Sequence, residues 1–203
     1  MRSSIDIFRS NIQSVKELHA LHKHFSNMLT AMDLSEMLRS EYVLVISAMD
    51  RFLHDIVKER LLKIDIRDVV NLNISAQKEY PISLFTVKSL LENPDELTRD
   101  QLLETDLKKS LEKISFQSSK SIESAMNLIG CKKPWTKIGR QLTLPPEDVK
   151  KRLDIIIRRR NIIAHQADIS NDVTLEKNNI ERQDVDEELF FIEKIVETIN
   201  IIV

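Results

Sequence analysis

The sequence predicts an all-α fold: a single domain over residues 1–203, built as a bundle of long antiparallel helices with an irregular middle section. Apolar residues recur every three to four positions along most of the chain, which is the period of an amphipathic helix. The chain has 2 glycines in 203 residues, whereas sheet proteins need glycine at their hairpin turns. Its 42% hydrophobic and 31% charged residues are typical of a folded, helix-rich protein and argue against disorder.

The first half of the chain contains two long predicted helices followed by the irregular section. The first helix has one apolar face, formed by Ile5, Phe8, Ile12, Val15, Leu18 and Leu21. The second is predicted over 35–61, with a stripe formed by Leu38, Tyr42, Val45, Met49, Phe52 and Ile56. Residues 64–97 are less regular, and 81–91 is a candidate for a short helix with proline in its first turn.

Two shorter helices are predicted after this section. Thr98 and Gln101 form a capping box, which indicates the start of a helix that runs to Ile114. A further helix is predicted over 121–129, because Gly130 then supplies a residue typical of helix ends.

The last third of the chain contains three more predicted helices. The first is a short helix over 134–142. The Pro-Pro-Glu-Asp sequence at 145–148 then opens a long helix that runs to about His165, with its acids where the helix dipole favours them. Asp184 with Glu187 is predicted to cap the final helix.

Composition excludes several classes of function. With 2 glycines, the chain has no Gly-rich phosphate loop of the P-loop or dinucleotide type, and no cofactor is predicted. The lone Cys131 excludes internal disulfides and cysteine-based zinc sites, and it fits a reducing compartment. The longest apolar stretch, 42–49, is far shorter than the ~18 residues of a membrane span. The first residues lack the apolar core of a signal peptide, so a cytoplasmic location without membrane association is predicted.

Positive charge is concentrated late in the chain. Residues 131–165 hold ten Lys or Arg and three acids, a net charge of +7, although the whole chain carries −2. Residues 171–203 hold nine acids and three bases, a net charge of −6. A basic stripe in a near-neutral protein indicates either a polyanion-binding surface or an ordinary solvated helix face.

The helix ending in His165 has an arginine on its apolar face. At about 100° per residue from Leu153, Ile156 and Ile157 fall at about 300° and 40°, and Arg160 falls between them at about 340°. Asn161 and His165 follow at about 80° and 120°, on the adjoining edge. One interpretation is that Arg160 snorkels or pairs with a core carboxylate, with His165 at the surface near the helix C-terminus. The other is that Arg160, Asn161 and His165 point into a shared polar site.

The segment 158–165, Arg-Arg-Arg-Asn-Ile-Ile-Ala-His, resembles the signature of HEPN domains, in which four to six residues separate an arginine from a histidine. The Arg-Asn pair matches the usual form best at Arg160. The stretch 41–54 also resembles the second helix of the RiboL-PSP-HEPN group. The resemblance covers most of the chain, and residues 62–120 fit it least.

This resemblance implies a metal-independent endoribonuclease that acts as a homodimer, used as a toxin or an antiphage-defence effector. Arg160, Asn161 and His165 would be its catalytic residues, RNA its substrate, and an antitoxin or a defence-complex protein a further partner. The chemistry is consistent, because RNA supplies its own 2′-hydroxyl nucleophile and histidine can transfer protons near neutral pH. One motif histidine per chain is too few for separate acid and base roles, so two chains packed along this helix would complete the site.

A second set of residues is predicted to bind RNA or to support the site. It consists of Arg158, Arg159, Asp50, Glu41, Lys150, Lys151 and Arg152. His19, His22 and His24 on the first helix, and His54 four residues after Asp50, are not expected to form a metal site.

Two alternatives to the enzyme remain open. The first is a HEPN fold without hydrolytic activity that binds RNA or a partner protein as a subunit of a defence complex. The second is a helix-turn-helix DNA-binding protein, because 135–142 followed by 145–152 resembles a turn before a basic helix.

Overall fold

The computed structural model describes residues 2–29, 31–63, 86, 88–89, 92, 95–171 and 173–203. Seven helices and one two-stranded sheet account for the regular structure of this part of the chain. The helices are α1 Ser4–Met28, α2 Ser35–Leu61, α3 Glu96–Leu111, α4 Ser119–Leu128, α5 Pro134–Leu142, α6 Pro146–Gln166 and α7 Arg182–Ile202. The strands are β1 Ile169–Asn171 and β2 Glu176–Lys177. The predicted all-α bundle with long antiparallel helices is therefore confirmed.

Helices α1 and α2 form an antiparallel pair. The backbone N–H of Ser4, at the start of α1, donates to Oε1 of Glu59 near the end of α2 at 2.9 Å. Farther along, Nδ1 of His19 lies 2.6 Å from Oε2 of Glu41. These contacts fix the register in which the two predicted apolar stripes meet.

Helix α7 also runs antiparallel to α1, and ion pairs outside the core fix their register. The guanidinium of Arg9 donates two hydrogen bonds to Glu197, both at 2.8 Å. Nζ of Lys16 lies 2.6 Å from Oε1 of Glu193, one turn earlier on α7. Exposed pairs of this kind stabilise by only ~0.2–1 kcal/mol each, so their main effect is to fix register.

The core is a single cluster to which every helix contributes, and α2 is its centre. Helix α2 contacts α1, α3, α4, α6 and α7. Met49, Leu53 and Val57 on α2 have no solvent exposure. Burial of one such side chain contributes ~1.5–3 kcal/mol to stability. Only Met49 of these three belongs to the predicted stripe, so the buried face of α2 is wider than predicted. Tyr42 on the same helix is buried between α2 and α6, and this burial raises the pKa of its phenol.

Three predicted helix starts differ from the observed ones by a few residues. Helix α3 is capped by Asp95, which accepts a hydrogen bond from the backbone N–H of Thr98, so Thr98 lies inside the first turn. Helix α4 is capped by Ser118. Helix α7 is capped by Glu181, and Asp184 is the residue that bonds back to it. In each case a residue earlier in the sequence is the N-cap. Several neighbouring residues have side chains that can cap a helix, so the sequence does not distinguish between them.

The short helix predicted over 81–91 lies almost entirely outside the described residues. Within it, Thr86, Lys88 and Ser89 are helical.

The two-stranded sheet was not predicted. It is an antiparallel hairpin between α6 and α7, with Ile169 paired to Lys177 and a register irregularity before Asn171 pairs with Glu176. No helix of the described residues is long and apolar enough to cross a membrane.

Candidate active site

Helix α6 carries the three consecutive arginines and His165. Pro146 occupies its first turn, where a missing N–H costs nothing, and Glu147 and Asp148 follow where the dipole favours acids. Its apolar stripe then buries four side chains in the core: Val149, Leu153, Ile156 and Ile157. Because α2 and α5 of the same chain cover this stripe, the apolar face does not need a second chain to bury it. The homodimer stays a prediction.

Arg160 extends from this stripe into a cleft of about 560 Å³ between α2, α3 and α6, which we call the Arg160 cleft. Nη1 of Arg160 donates to Oδ1 of Asn161 at 2.9 Å. Nε is buried, and none of the described residues accepts its hydrogen. A buried N–H without an acceptor costs free energy, and a bound acceptor group would remove that cost. Within the described residues Arg160 has no carboxylate partner, so the arrangement differs from a core ion pair.

Asp50 and His54 line the same cleft one turn apart on α2. Nε2 of His54 faces Oδ2 of Asp50 at 3.9 Å, and the two side chains are 24% and 26% exposed. The edge of the His54 ring meets the buried ring of Phe116 with centroids 4.5 Å apart. Oδ1 of Asp50 is buried and has no hydrogen-bond donor among the described residues. Two side chains that line the cleft therefore each have a buried polar atom without a partner among the described residues, Nε of Arg160 and Oδ1 of Asp50.

The rest of the cleft rim consists largely of ion pairs. Nε of Arg51 donates to Oδ2 of Asp55 at 2.6 Å. Lys58 on α2 pairs with Glu104 on α3 at 3.5 Å. Because these four charged side chains pair with each other, the polar groups that the cleft offers to a ligand include Arg160, Asp50 and His54.

His165 lies in the last turn of α6 and is exposed. It is not among the residues that line the Arg160 cleft. Five residues along a helix correspond to a rotation of about 140°, so Arg160 and His165 face different sides of α6. Arg158, seven residues before His165, is exposed on the same edge. One chain therefore does not bring the predicted catalytic arginine and histidine into one pocket.

Arg159 points away from both groups and binds within the chain. Its Nη2 donates to Oδ2 of Asp168 at 2.8 Å and to the backbone carbonyl of Asn179 at 3.1 Å. Asp168 is fully buried and also accepts from Nε of Arg39 at 2.9 Å. Arg39 in turn donates to the carbonyl of Asn178 at 2.8 Å. Arg159 therefore belongs to a buried network that fastens the hairpin to the start of α2.

The three other predicted RNA-binding residues lie near the start of α6 and differ in how far their side chains are engaged by contacts within the chain. Lys150 pairs with Glu147 at 2.9 Å. The guanidinium of Arg152 lies over the ring of Phe191, 4.3 Å from its centroid. Lys151 is exposed. Of these three side chains, Lys151 is the one most available to a phosphate.

Glu41 is fully buried and does not line the Arg160 cleft. His19 bridges it to α7, because its Nε2 lies 3.2 Å from Oδ1 of Asp186 while Nδ1 contacts Glu41. Burial raises the pKa of the Glu41 carboxyl despite the hydrogen bond from His19. Glu41 thus holds α1, α2 and α7 together at this level of the bundle.

The resemblance to a helix-turn-helix rests on helices α5 and α6, which meet closely at Gly139. A Cβ on Gly139 would lie 2.6 Å from the carbonyl oxygen of Leu144, so glycine permits this turn. Arg152 of the second helix lies against α7, which leaves little of this helix face for a DNA groove.

Sequence reasoning did not assign His54 to the site. The signal was its position four residues after Asp50, which places both side chains on one helix face. The sequence does not reveal that this face meets Arg160, because a helical period says nothing about which helix packs against which.

No group of three or more His, Cys, Asp or Glu side chains within the described ranges has the geometry to hold a metal ion.

Comparison with known proteins gives one match. The family model RiboL-PSP-HEPN matches residues 9–203, nearly the whole chain. No curated protein and no solved structure shows significant similarity to this chain. Since the match covers far more than half of the sequence, this all-α chain belongs to the RiboL-PSP-HEPN family of HEPN domains.

Proposed function

We propose that this protein is a metal-independent endoribonuclease that acts as a toxin or an antiphage-defence effector. Membership of a HEPN family supports a ribonuclease-like or RNA-binding role. The observation that carries the proposal is the state of Arg160. Its guanidinium is oriented by Asn161 and lines an open cleft, and its buried Nε–H finds no acceptor in the part of the chain that the structure describes.

The reaction is attack by the RNA 2′-hydroxyl on the adjacent phosphorus. Arg160 donates to the phosphate oxygens, and a guanidinium suits this task because its planar fork offers two parallel hydrogen bonds. Asn161 holds the fork in place. His165 transfers a proton, because an exposed imidazole can change protonation state near neutral pH. The products are a 2′,3′-cyclic phosphate and a 5′-hydroxyl.

The complete site contains two chains. Arg160 lines a cleft on one side of α6, whereas His165 lies on another side of the same helix. A two-fold dimer along the exposed edge of α6 would bring the His165 of one chain to the Arg160 of the other. Arg158, exposed on the edge that carries His165, would then contact the RNA backbone.

The test is cleavage of a 5′-labelled RNA in EDTA by the wild-type protein. We expect cutting to persist and the upstream product to end in a 2′,3′-cyclic phosphate, because the 2′-hydroxyl nucleophile needs no metal-bound water. His165→Ala should abolish cutting, whereas His24→Ala, at an exposed position on α1, should not. A strict requirement for Mg²⁺, or equal cutting of DNA, would contradict the proposal.

A HEPN subunit that binds RNA or protein without hydrolysis is the second candidate. The separation of His165 from the Arg160 cleft favours it, since a single chain lacks an assembled pair. RNA binding that is retained when wild type and His165→Ala both fail to cut RNA would support this candidate instead.

A further inference from the structure

We infer that His54 is the general base of the Arg160 cleft and that Asp50 positions it. The inference rests on the proposed ribonuclease function and adds a residue to its mechanism. One motif histidine per chain leaves either the acid or the base unassigned. The structure places a second histidine, His54, in the lining of the same cleft as Arg160, within one chain.

The size and openness of the cleft fit a nucleotide. Its volume of about 560 Å³ lies within the range of ~300–1,000 Å³ that is usual for small-ligand sites. It is bounded by α2, α3 and α6, so its walls come from regular helices.

The side chains of Arg160 and His54 match the chemistry of one ribonucleotide. The guanidinium of Arg160 lines the cleft, and its buried Nε has no acceptor among the described residues, so phosphate oxygens are its complementary group. The neighbouring ribose supplies a 2′-hydroxyl, whose single hydrogen is donated to Nε2 of His54. A DNA strand supplies the phosphate but not the 2′-hydroxyl, so this arrangement predicts a preference for RNA.

His54 has the surroundings of a base. Its ring is held on one side by the edge contact with Phe116, which limits its rotation. On the other side, Oδ2 of the Asp50 carboxylate lies 3.9 Å from Nε2 of the ring. The side chain remains 24% exposed, so a substrate hydroxyl can reach it.

The step balances as follows. O2′ attacks phosphorus while its proton passes to Nε2 of His54. The P–O5′ bond breaks, and O5′ takes a proton from the His165 imidazolium assigned under the proposed function. His54 then returns its proton to solvent, and His165 regains one. The charged groups that line the cleft with His54 are Asp50, Arg51, Asp55 and Lys58 on α2, Glu104 and Lys108 on α3, Glu112 at the C-cap of α3, and Arg160 on α6.

The experiment is single-turnover cleavage of a short RNA between pH 5 and 9. His54→Asn should lower the rate by ~10²–10⁴-fold and flatten the limb that rises with pH. Asp50→Asn keeps the shape of the side chain and should lower the single-turnover rate at saturating RNA while leaving RNA affinity unchanged, because Asp50 positions His54 and does not hold the RNA. His54→Ala should regain activity with added imidazole, which a purely structural role would not produce. His24→Asn is the matched control.

The outcomes separate this inference from the ribonuclease proposal. If wild type cuts RNA and His54→Asn cuts it at the same rate and with the same pH profile, His54 is not the base and the ribonuclease proposal stands. If wild type does not cut RNA, the ribonuclease proposal fails. The cleft is then judged by adding adenosine 3′-monophosphate to protein with ¹⁵N-labelled histidines. A shift of the His54 ring signals in wild type that is lost in Arg160→Ala supports the site, and no shift overturns it.

Discussion

The guanidinium groups of Arg158, Arg159 and Arg160 have three different environments although the residues are consecutive. Arg160 lines a cleft, Arg159 binds the buried Asp168, and Arg158 is exposed. A rotation of about 100° per residue separates them around the helix axis. Their substitutions should therefore affect different properties.

Arg160→Ala should reduce single-turnover RNA cleavage by ~10²–10³-fold without unfolding the chain, because it removes a donor directed at the developing phosphate charge. Arg158→Ala should mainly weaken RNA binding and reduce its dependence on salt. The exposed Arg140 provides a matched control, since Arg140→Ala lies on α5 outside the cleft.

From the sequence, Arg159 is expected to act through RNA affinity, but its contact with Asp168 predicts a loss of stability as well. Thermal melts alongside the cleavage assay distinguish the two effects. If Arg159→Ala stops turnover at saturating RNA while Arg160→Ala does not, the arginine of the motif has been assigned to the wrong position.

Glu188 on α7 should make stability depend on pH. Burial raises the pKa of its carboxyl from 4.5 to about 7, and Arg152 only partly opposes this. The folded state therefore binds the proton more tightly than the unfolded state, and stability decreases as pH rises from about 4.5 through 7.

Glu188→Gln should raise Tm at pH 8 by roughly 2–4 °C, the shift that ~1 kcal/mol gives in a chain of this size. The difference from wild type should disappear below about pH 4.5, where the carboxyl is protonated in both states. Melts from pH 4 to 9 measure this, and a constant difference over that range would show that burial of the charge is not its cause.

At the scale of elements, the network around Asp168 connects α6, the hairpin and α2. Asp168 is fully buried, has φ of 61°, and accepts hydrogen bonds from Arg39 and Arg159. Nδ2 of Asn178 also donates to its Oδ1 at 3.1 Å. The network sets the path of the chain directly after His165.

Asp168→Ala should lower the free energy of unfolding by about 3–5 kcal/mol, because it removes the buried carboxylate of Arg39 and leaves the exposed Glu36 as its acidic partner. Asp168→Asn should cost less, since asparagine tolerates the left-handed backbone and keeps one acceptor oxygen. Urea denaturation measures both variants. Asp148→Ala, at an exposed position on α6, is the control and should change stability by less than about 1 kcal/mol.

At the scale of the whole molecule, the homodimer is the property that the proposed mechanism needs most. Arg160 and His165 face different sides of α6, so two inactive variants should complement each other. A mixture of Arg160→Ala and His165→Ala proteins should regain about a quarter of wild-type activity. Half of the randomly paired dimers are then mixed, and each has one intact site of two.

The complementation is measured after the two variants are unfolded and refolded together, with light scattering to report the oligomeric state. A monomer at micromolar concentration, or a mixture that stays inactive while each variant remains folded, would rule out a site shared between chains.

The helices and the location of the motif could be predicted from the sequence, but the hairpin could not. The seven helices of the described residues follow from apolar spacing and from proline and cap residues. Some observed helix starts differ from the predicted ones by a few residues, because several neighbouring side chains can serve as the cap. The position of Arg160 on an apolar face of α6 was also available, since it requires only the angle between residues on one helix.

The element that packs against each helix face could be learned only from the three-dimensional structure. A period of 3.6 residues orients a side chain about its own helix axis, but it does not say which element packs there. For this reason the sequence did not show that Arg160 meets Asp50 and His54 across a cleft, or that Glu41 pairs with His19 in the core. Arg159 was predicted to bind RNA or to support the site, whereas the structure pairs it with the buried Asp168. Helical spacing does not reveal this partner, because Asp168 lies beyond the end of the helix. That contact exists only because the chain turns back through two residues with positive φ, Ala167 and Asp168.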